Sequence, residues 1–184
     1  GPRPYWVSGN VQGLSAETSF GVPSGHAQNA MAVWGIIAAR IGKRVAWMLA
    51  ITLAFLIGFS RLYLGVHFVH DVLAGWALGA AVLWGVLRFW DPVAAWLKSK
   101  TVTSQISLAF VMSLVMIALG YASAARLDGY IFPEEYRVNA LRASDELPAP
   151  ASLETIVTSA GTFFGLAAGL AWILSRGGYQ ADGP

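Results

Sequence analysis

Ser60-Arg61-Leu62-Tyr63-Leu64-Gly65-Val66-His67-Phe68-Val69-His70-Asp71 lies where two apolar runs meet, one from Val45 to about Leu64 and one from His67 to Trp90. Each run is near the ~20 residues that a helix needs to cross a bilayer. Beside lipid, an arginine, two histidines and an aspartate are costly to hold and mark function. The stretch therefore predicts two membrane helices joined by a short turn, with chemistry at the joint.

The rest of the chain fits that reading. Of 184 residues, 56% are hydrophobic and 12% are charged, against roughly 25% charged in soluble domains. This composition predicts an all-α fold, a polytopic transmembrane helical bundle with about five spans. The formal charge of +2 is too small to point to nucleic acid, and the partner it leaves is the lipid bilayer. Cysteine is absent, which removes disulfides, thiol catalysis and thiolate metal sites. The chain opens in Gly1-Pro2-Arg3-Pro4-Tyr5-Trp6 without an initiator methionine or signal peptide and reads as an excerpt of a longer protein.

Pro2, Pro4, Gly9, Gly13 and Gly21 break any period over residues 1–22, so an irregular surface segment is expected there. A first helix should start from an N-cap at Ser24, behind Pro23, and run to about Arg40. A basic turn with Arg40, Lys43 and Arg44 leads into the two runs described above. A link from Asp91 to Lys100 is expected along the interface, followed by spans from about Thr103 to Ala124 and from about Leu153 to Leu174. Between these, Arg126 to Ala151 is polar, acidic and proline-containing and is expected to be a solvent-exposed loop, with Glu134, Glu135, Asp145 and Glu146 solvating it. The expected division is 1–90, with three spans and the reactive residues, and 91–184, with two further transmembrane helices and the loop 126–151.

Five crossings put alternate loops on opposite sides. One side collects Arg40, Lys43, Arg44, Arg88, Lys98, Lys100 and Arg176 against Asp91 and Asp182, and the other collects Arg3, Arg61, Arg126, Arg137, Arg142 and most of the acids. By the positive-inside rule the first side is cytoplasmic, which places Ser24 to His26 and Ser60 to Asp71 together on the extracytoplasmic face.

The residue types suit phosphate chemistry. His67 and Asp71 are four apart at a helix start, so the carboxylate can accept from one ring nitrogen and leave the other free as a nucleophile. Ser24, Gly25 and His26 stand at another helix N-terminus, where free N–H groups and the dipole favour an anion. Arg3 and Arg61 add forked donors for phosphoryl oxygens. His67, His70 and Asp71 also invite a metal reading, but one helix turn lacks the further ligands such a site needs. The expectation is no metal and no cofactor, with His70 in a supporting role. Gly75, Gly79 and nearby alanines read as helix packing.

These residues resemble a known family. Pro23-Ser24-Gly25-His26, and Ser60-Arg61 followed by His67 and Asp71 at the same intervals, are similar to two of the three signatures of the type 2 phosphatidic acid phosphatases (PAP2), a superfamily that includes the vanadium haloperoxidases. Arg3-Pro4 matches the end of the third, whose lysine would fall before residue 1. The likeness covers about residues 1–90.

The resemblance implies the membrane lipid phosphatase branch and a six-helix core, with the first three helices expected upstream of residue 1. It implies that His67 attacks phosphorus to form a phosphohistidine, that Asp71 orients it, and that His26 protonates the leaving oxygen. It also implies that Arg3, Ser24, Gly25 and Arg61 bind the phosphoryl oxygens. The expected function is metal-independent hydrolysis of a lipid phosphate or pyrophosphate in the bacterial inner (cell) membrane. Phosphatidic acid, phosphatidylglycerol phosphate and undecaprenyl pyrophosphate are all compatible substrates. A transferase using the same phosphohistidine and a non-catalytic membrane scaffold are the alternatives. A haloperoxidase is disfavoured because that activity belongs to soluble relatives. With the expected lysine and helices upstream, residues 1–184 alone are expected to be inactive.

Overall fold

A computed structural model describes residues 1–178, so Asp182, counted above among the charges of the tail, lies outside the described residues. The described residues form seven α-helices and no strand: α1 (Pro4–Val7), α2 (Gly25–Ile41), α3 (Arg44–Tyr63), α4 (Val69–Lys98), α5 (Val102–Ala125), α6 (Glu134–Ser144) and α7 (Glu154–Ser175). Four of these, α3, α4, α5 and α7, are long and apolar enough to cross a membrane. The fifth expected span, α2, has 17 residues and so a length of about 26 Å, short of a ~30 Å hydrocarbon core. Its ends are fixed locally: the Ser24 hydroxyl accepts from the Ala27 N–H at 3.4 Å, and Gly42 turns the chain with a left-handed φ of 68°.

The described residues divide into two compact units, 1–90 with 131–150, and 91–130 with the described residues from 151 onward. In the first, α2 and α3 pack as neighbours and α4 closes on both. The Trp76 indole donates to the Ala54 carbonyl at 3.2 Å, and Gly58 leaves room for the same ring. A Cβ on Gly75 would meet the Ser24 carbonyl oxygen at 2.5 Å, and Gly79 lies as close against Gln28. These glycines let the start of α4 meet the start of α2 backbone to backbone, as small residues do between membrane helices.

The second unit pairs α5 with α7. Gly120 faces Ile156, and the Phe110 and Phe164 rings meet edge to face at 5.5 Å. The link expected at Asp91 to Lys100 is instead helical as far as Lys98. Pro92 costs one backbone donor, but its fixed φ is compatible with helix. The end of α4 is capped by the Gln105 amide, which donates to the carbonyls of Leu97 and Lys100, both at 3.1 Å.

The segment expected as a solvated loop, 126–151, is also more ordered than that. Its α6 belongs to the first unit and packs on α1, burying Asn139 and Ala140. The Asn139 amide donates to the Trp6 carbonyl at 3.0 Å, and the Ala149 N–H donates to the Thr18 carbonyl at 2.8 Å. Phe132 stacks on Phe20 at 5.9 Å and meets Trp6 edge to face at 6.1 Å. Tyr5, Trp6, Val66 and Ala140 form a buried apolar cluster here. Burying Tyr5 and Trp6 is what draws α6 down.

Candidate active site

Three chain ends converge in the first unit: the N-terminus of α2, the C-terminus of α3 and the N-terminus of α4. The Ser24 N–H donates to the Asp71 carbonyl at 2.9 Å, joining α2 to α4. The turn from α3 to α4 passes through Gly65, whose φ of 69° favours glycine and whose missing side chain admits the Gln12 carbonyl. The Leu14 N–H donates to the Leu64 carbonyl at 3.0 Å, so residues 1–22 are laid across that turn.

His67 lies in the turn just before α4 rather than on its face, and Asp71 is the third residue of the helix. Asp71 Oδ2 accepts from the Phe68 N–H at 2.9 Å and faces His67 Nδ1 at 3.3 Å. The carboxylate thus caps the helix start and holds the imidazole with the same oxygen. Asp71 is fully buried. Its other oxygen is approached by His70 Nε2 at 3.0 Å, without the alignment of a hydrogen bond.

Arg3 is 2% exposed and is held on every side. Its Nε donates to the Ser19 carbonyl at 2.6 Å and its Nη1 to the Val66 carbonyl at 3.0 Å. Its Nη2 donates to Ser19 Oγ at 3.1 Å and to the Phe20 carbonyl at 3.3 Å. Nη1 also lies 3.3 Å from His67 Nε2. Burial, and secondarily the Arg3 charge, push the His67 pKa below its ordinary value, while Asp71 opposes the shift.

Arg61 reaches the same place from the last turn of α3. Its Nη1 lies 3.8 Å from a carboxylate oxygen of Glu17, and its buried Nε has no hydrogen-bond partner among the described residues. Arg3, Ser24, Arg61, His67 and Asp71 are therefore brought together. Gly25 and His26 follow Ser24 at the exposed start of α2, and the His26 ring makes no hydrogen bond or ion pair among the described residues.

A sequence profile of the PAP2 superfamily matches residues 1–95. The chain belongs to this superfamily. Over 85 residues it is 42% identical to phosphatidylglycerophosphatase B of Bacillus subtilis, covering 41% of this chain and 42% of that one. Over 63 residues it is 38% identical to an undecaprenyl-diphosphatase of Sulfolobus acidocaldarius, covering 34% and 30%. Over 109 residues it is 37% identical to mouse glucose-6-phosphatase 3, covering 46% and 31%. The chain thus spans less than half the length of these relatives. No solved structure matches. Every candidate residue from Arg3 to Asp71 falls inside the PAP2 match, while α5, α6 and α7 lie outside it.

Glu17 was not singled out by the sequence reading. Its Oε2 lies 3.4 Å from Arg3 Nη2 and its Oε1 3.8 Å from Arg61 Nη1. The available signal was charge: Glu17 is the only acid before Asp71, and the two arginines assigned to the phosphoryl oxygens, Arg3 and Arg61, need a counter-charge.

Proposed function

We propose that this protein hydrolyses a lipid phosphomonoester or pyrophosphate at the membrane, by metal-independent transfer of the phosphoryl group to His67. The observation that carries this reading is the line Asp71, His67, Arg3. Asp71 Oδ2 lies 3.3 Å from Nδ1 and Arg3 Nη1 lies 3.3 Å from Nε2. That line turns the Nε2 lone pair toward the guanidinium groups that would bind phosphoryl oxygens. The lowered pKa favours the neutral, nucleophilic ring.

In the first step Nε2 bonds to phosphorus as the bond to the lipid oxygen breaks, and His26 gives that oxygen its proton. In the second, a water oxygen bonds to phosphorus as His26 takes the water's proton and the phosphorus–Nε2 bond breaks, so that inorganic phosphate leaves and the neutral His67 ring is restored. Ser24, Gly25, Arg3 and Arg61 are assigned to the phosphoryl oxygens. Arg61 has donors to spare, since its Nε is unpartnered. Two of the three relatives are named for lipid phosphates, and all three for loss of a phosphoryl group. With the 40–44 turn on the cytoplasmic side, the site opens on the extracytoplasmic face.

The test is phosphate release by the full-length protein from phosphatidic acid, phosphatidylglycerol phosphate and undecaprenyl pyrophosphate. At least one should be hydrolysed, with EDTA without effect and orthovanadate inhibitory. His67→Ala should abolish turnover, and retention of about a tenth of the rate would remove His67 from its role. Release of a phosphorylated alcohol in place of phosphate would favour the transferase.

A further inference from the structure

Glu17 puts a carboxylate where a phosphatase of this kind needs an empty anion site. Each of its oxygens faces one arginine, at 3.4 Å from Arg3 and 3.8 Å from Arg61. Both separations exceed the ~2.8 Å of a tight charge-assisted hydrogen bond. The pairing is loose, yet the backbone beneath it is fixed. The Tyr5 hydroxyl donates to the Glu17 carbonyl at 2.8 Å and accepts from the Glu17 N–H at 3.1 Å, and Tyr5 is buried. The chain therefore aims this side chain at the arginines and leaves its end replaceable.

We infer that Glu17 is a built-in counterion, whose carboxylate holds the place between Arg3 and Arg61 that the phosphoryl group of the substrate takes, so that its displacement sets substrate affinity. This inference rests on the phosphatase reading above. Two guanidinium groups beside each other and shielded from water need compensation when no substrate is bound, and Glu17 is the acid that reaches both. A phosphoryl group brings its own negative charge to the same donors, and two anions cannot share them without repulsion. The Glu17 side chain is 22% exposed, so a route to solvent is open to it. Arg61, with Nε unpartnered, is left able to close on the incoming oxygens. Glu17 is a specificity-determining residue in this scheme, favouring ligands with enough negative charge to expel it.

The deciding measurement is orthovanadate affinity of the full-length protein in detergent, beside KM and kcat for whichever lipid of the panel is hydrolysed. Glu17→Gln keeps the shape and the acceptor and removes the charge. It should tighten orthovanadate binding and lower KM on the order of tenfold, without raising kcat. Without an anion it should melt at a lower temperature than the wild type, and orthovanadate should raise its melting temperature more. A purely structural role would not tighten binding. Glu17→Asp, a shorter acid on the same pinned backbone, should tighten it by a smaller factor and serves if Glu17→Gln fails to fold. Unchanged or weaker orthovanadate binding in a folded variant would overturn the inference while leaving the phosphatase reading intact. A wild-type protein that neither binds orthovanadate nor releases phosphate would overturn both.

Discussion

Arg3 Nη1 and His67 Nε2 lie 3.3 Å apart, on the side of the ring opposite Asp71. A guanidinium keeps its protons and can only donate, so Nε2 in this contact can only accept. A neutral ring then carries its hydrogen on Nδ1, where Asp71 Oδ2 receives it. One arginine and one aspartate thereby select the tautomer, in which the unprotonated nitrogen is Nε2, facing Arg3.

That arrangement fixes a pH dependence. Burial first, and then Arg3, hold the His67 pKa below its ordinary value of 6.5. In the proposed reaction the neutral ring is the attacking form, so the acid limb of kcat/KM should fall below pH 6.5. Replacing Arg3 by Gln removes the repelling cation and should move the limb upward. The same shift affects folding: between 6.5 and the lower native value the unfolded chain binds more protons than the native one, so stability falls as pH falls through that window. A limb that stays put in folded Arg3→Gln would deny the Arg3 contribution.

Arg3→Lys separates charge from geometry. Lysine keeps a cation but cannot supply the fork that now meets Ser19, Phe20, Val66 and Glu17. A loss of about 100-fold or more in kcat/KM is expected, as when one preorganised donor is removed from a charge-stabilising site. Loss below about threefold would show that the site needs only the charge. Asp71→Asn should cost less than His67→Ala, since the proposed nucleophile survives with a poorly held ring.

Much of this was legible in the sequence because membrane helices and their ends are written in local chemistry. The apolar runs located α3, α5 and α7, Ser24 located the start of α2, and the spacing of Arg61, His67 and Asp71 located the joint between α3 and α4. What could not be read depends on contacts distant in sequence. The Asn139 amide meets the Trp6 carbonyl across 133 positions, and nothing in the polar composition of 126–151 shows that Ala140 will be buried. Glu17 escaped notice because a single acid in a glycine-broken segment looks like solvation until the two arginines are placed beside it. The continuation of α4 through Pro92 was obscured by the usual role of proline as a stop.

Gly75 tests whether the approach of α2 to α4 matters to the site. An alanine there would meet the Ser24 carbonyl at 2.5 Å, the Ala27 Cβ at 3.0 Å and the Gln28 nitrogen at 3.2 Å. Two of the three are backbone and cannot swing aside, so α4 must move away from the start of α2, at a cost of about 1–3 kcal/mol. The Ser24 bond to the Asp71 carbonyl lies at the same contact. Gly75→Ala should therefore lower both thermal stability and kcat, whereas Gly85→Ala, with open space around it, should lower neither. Equal behaviour of the two variants would show that this contact does not position the site.

Helix α6 lies outside the PAP2 match yet packs on α1, the turn that begins at Arg3. Asn139 donates to the Trp6 carbonyl at 3.0 Å, Arg142 donates to the Gly9 carbonyl, and Ala140 is fully buried among Tyr5, Trp6 and Val66. Tyr5 in turn holds the Glu17 backbone through its hydroxyl. The helix therefore braces the segment that carries both Arg3 and Glu17, without touching the proposed substrate position. Asn139→Ala should cost about 1 kcal/mol of stability through one lost hydrogen bond, and Ala140→Leu about 1–3 kcal/mol through overpacking. If the brace positions Arg3, both should raise KM for the lipid more than they lower kcat, while exposed Glu135→Gln changes neither. Wild-type KM in folded Ala140→Leu would show that residues 1–22 hold their place without α6.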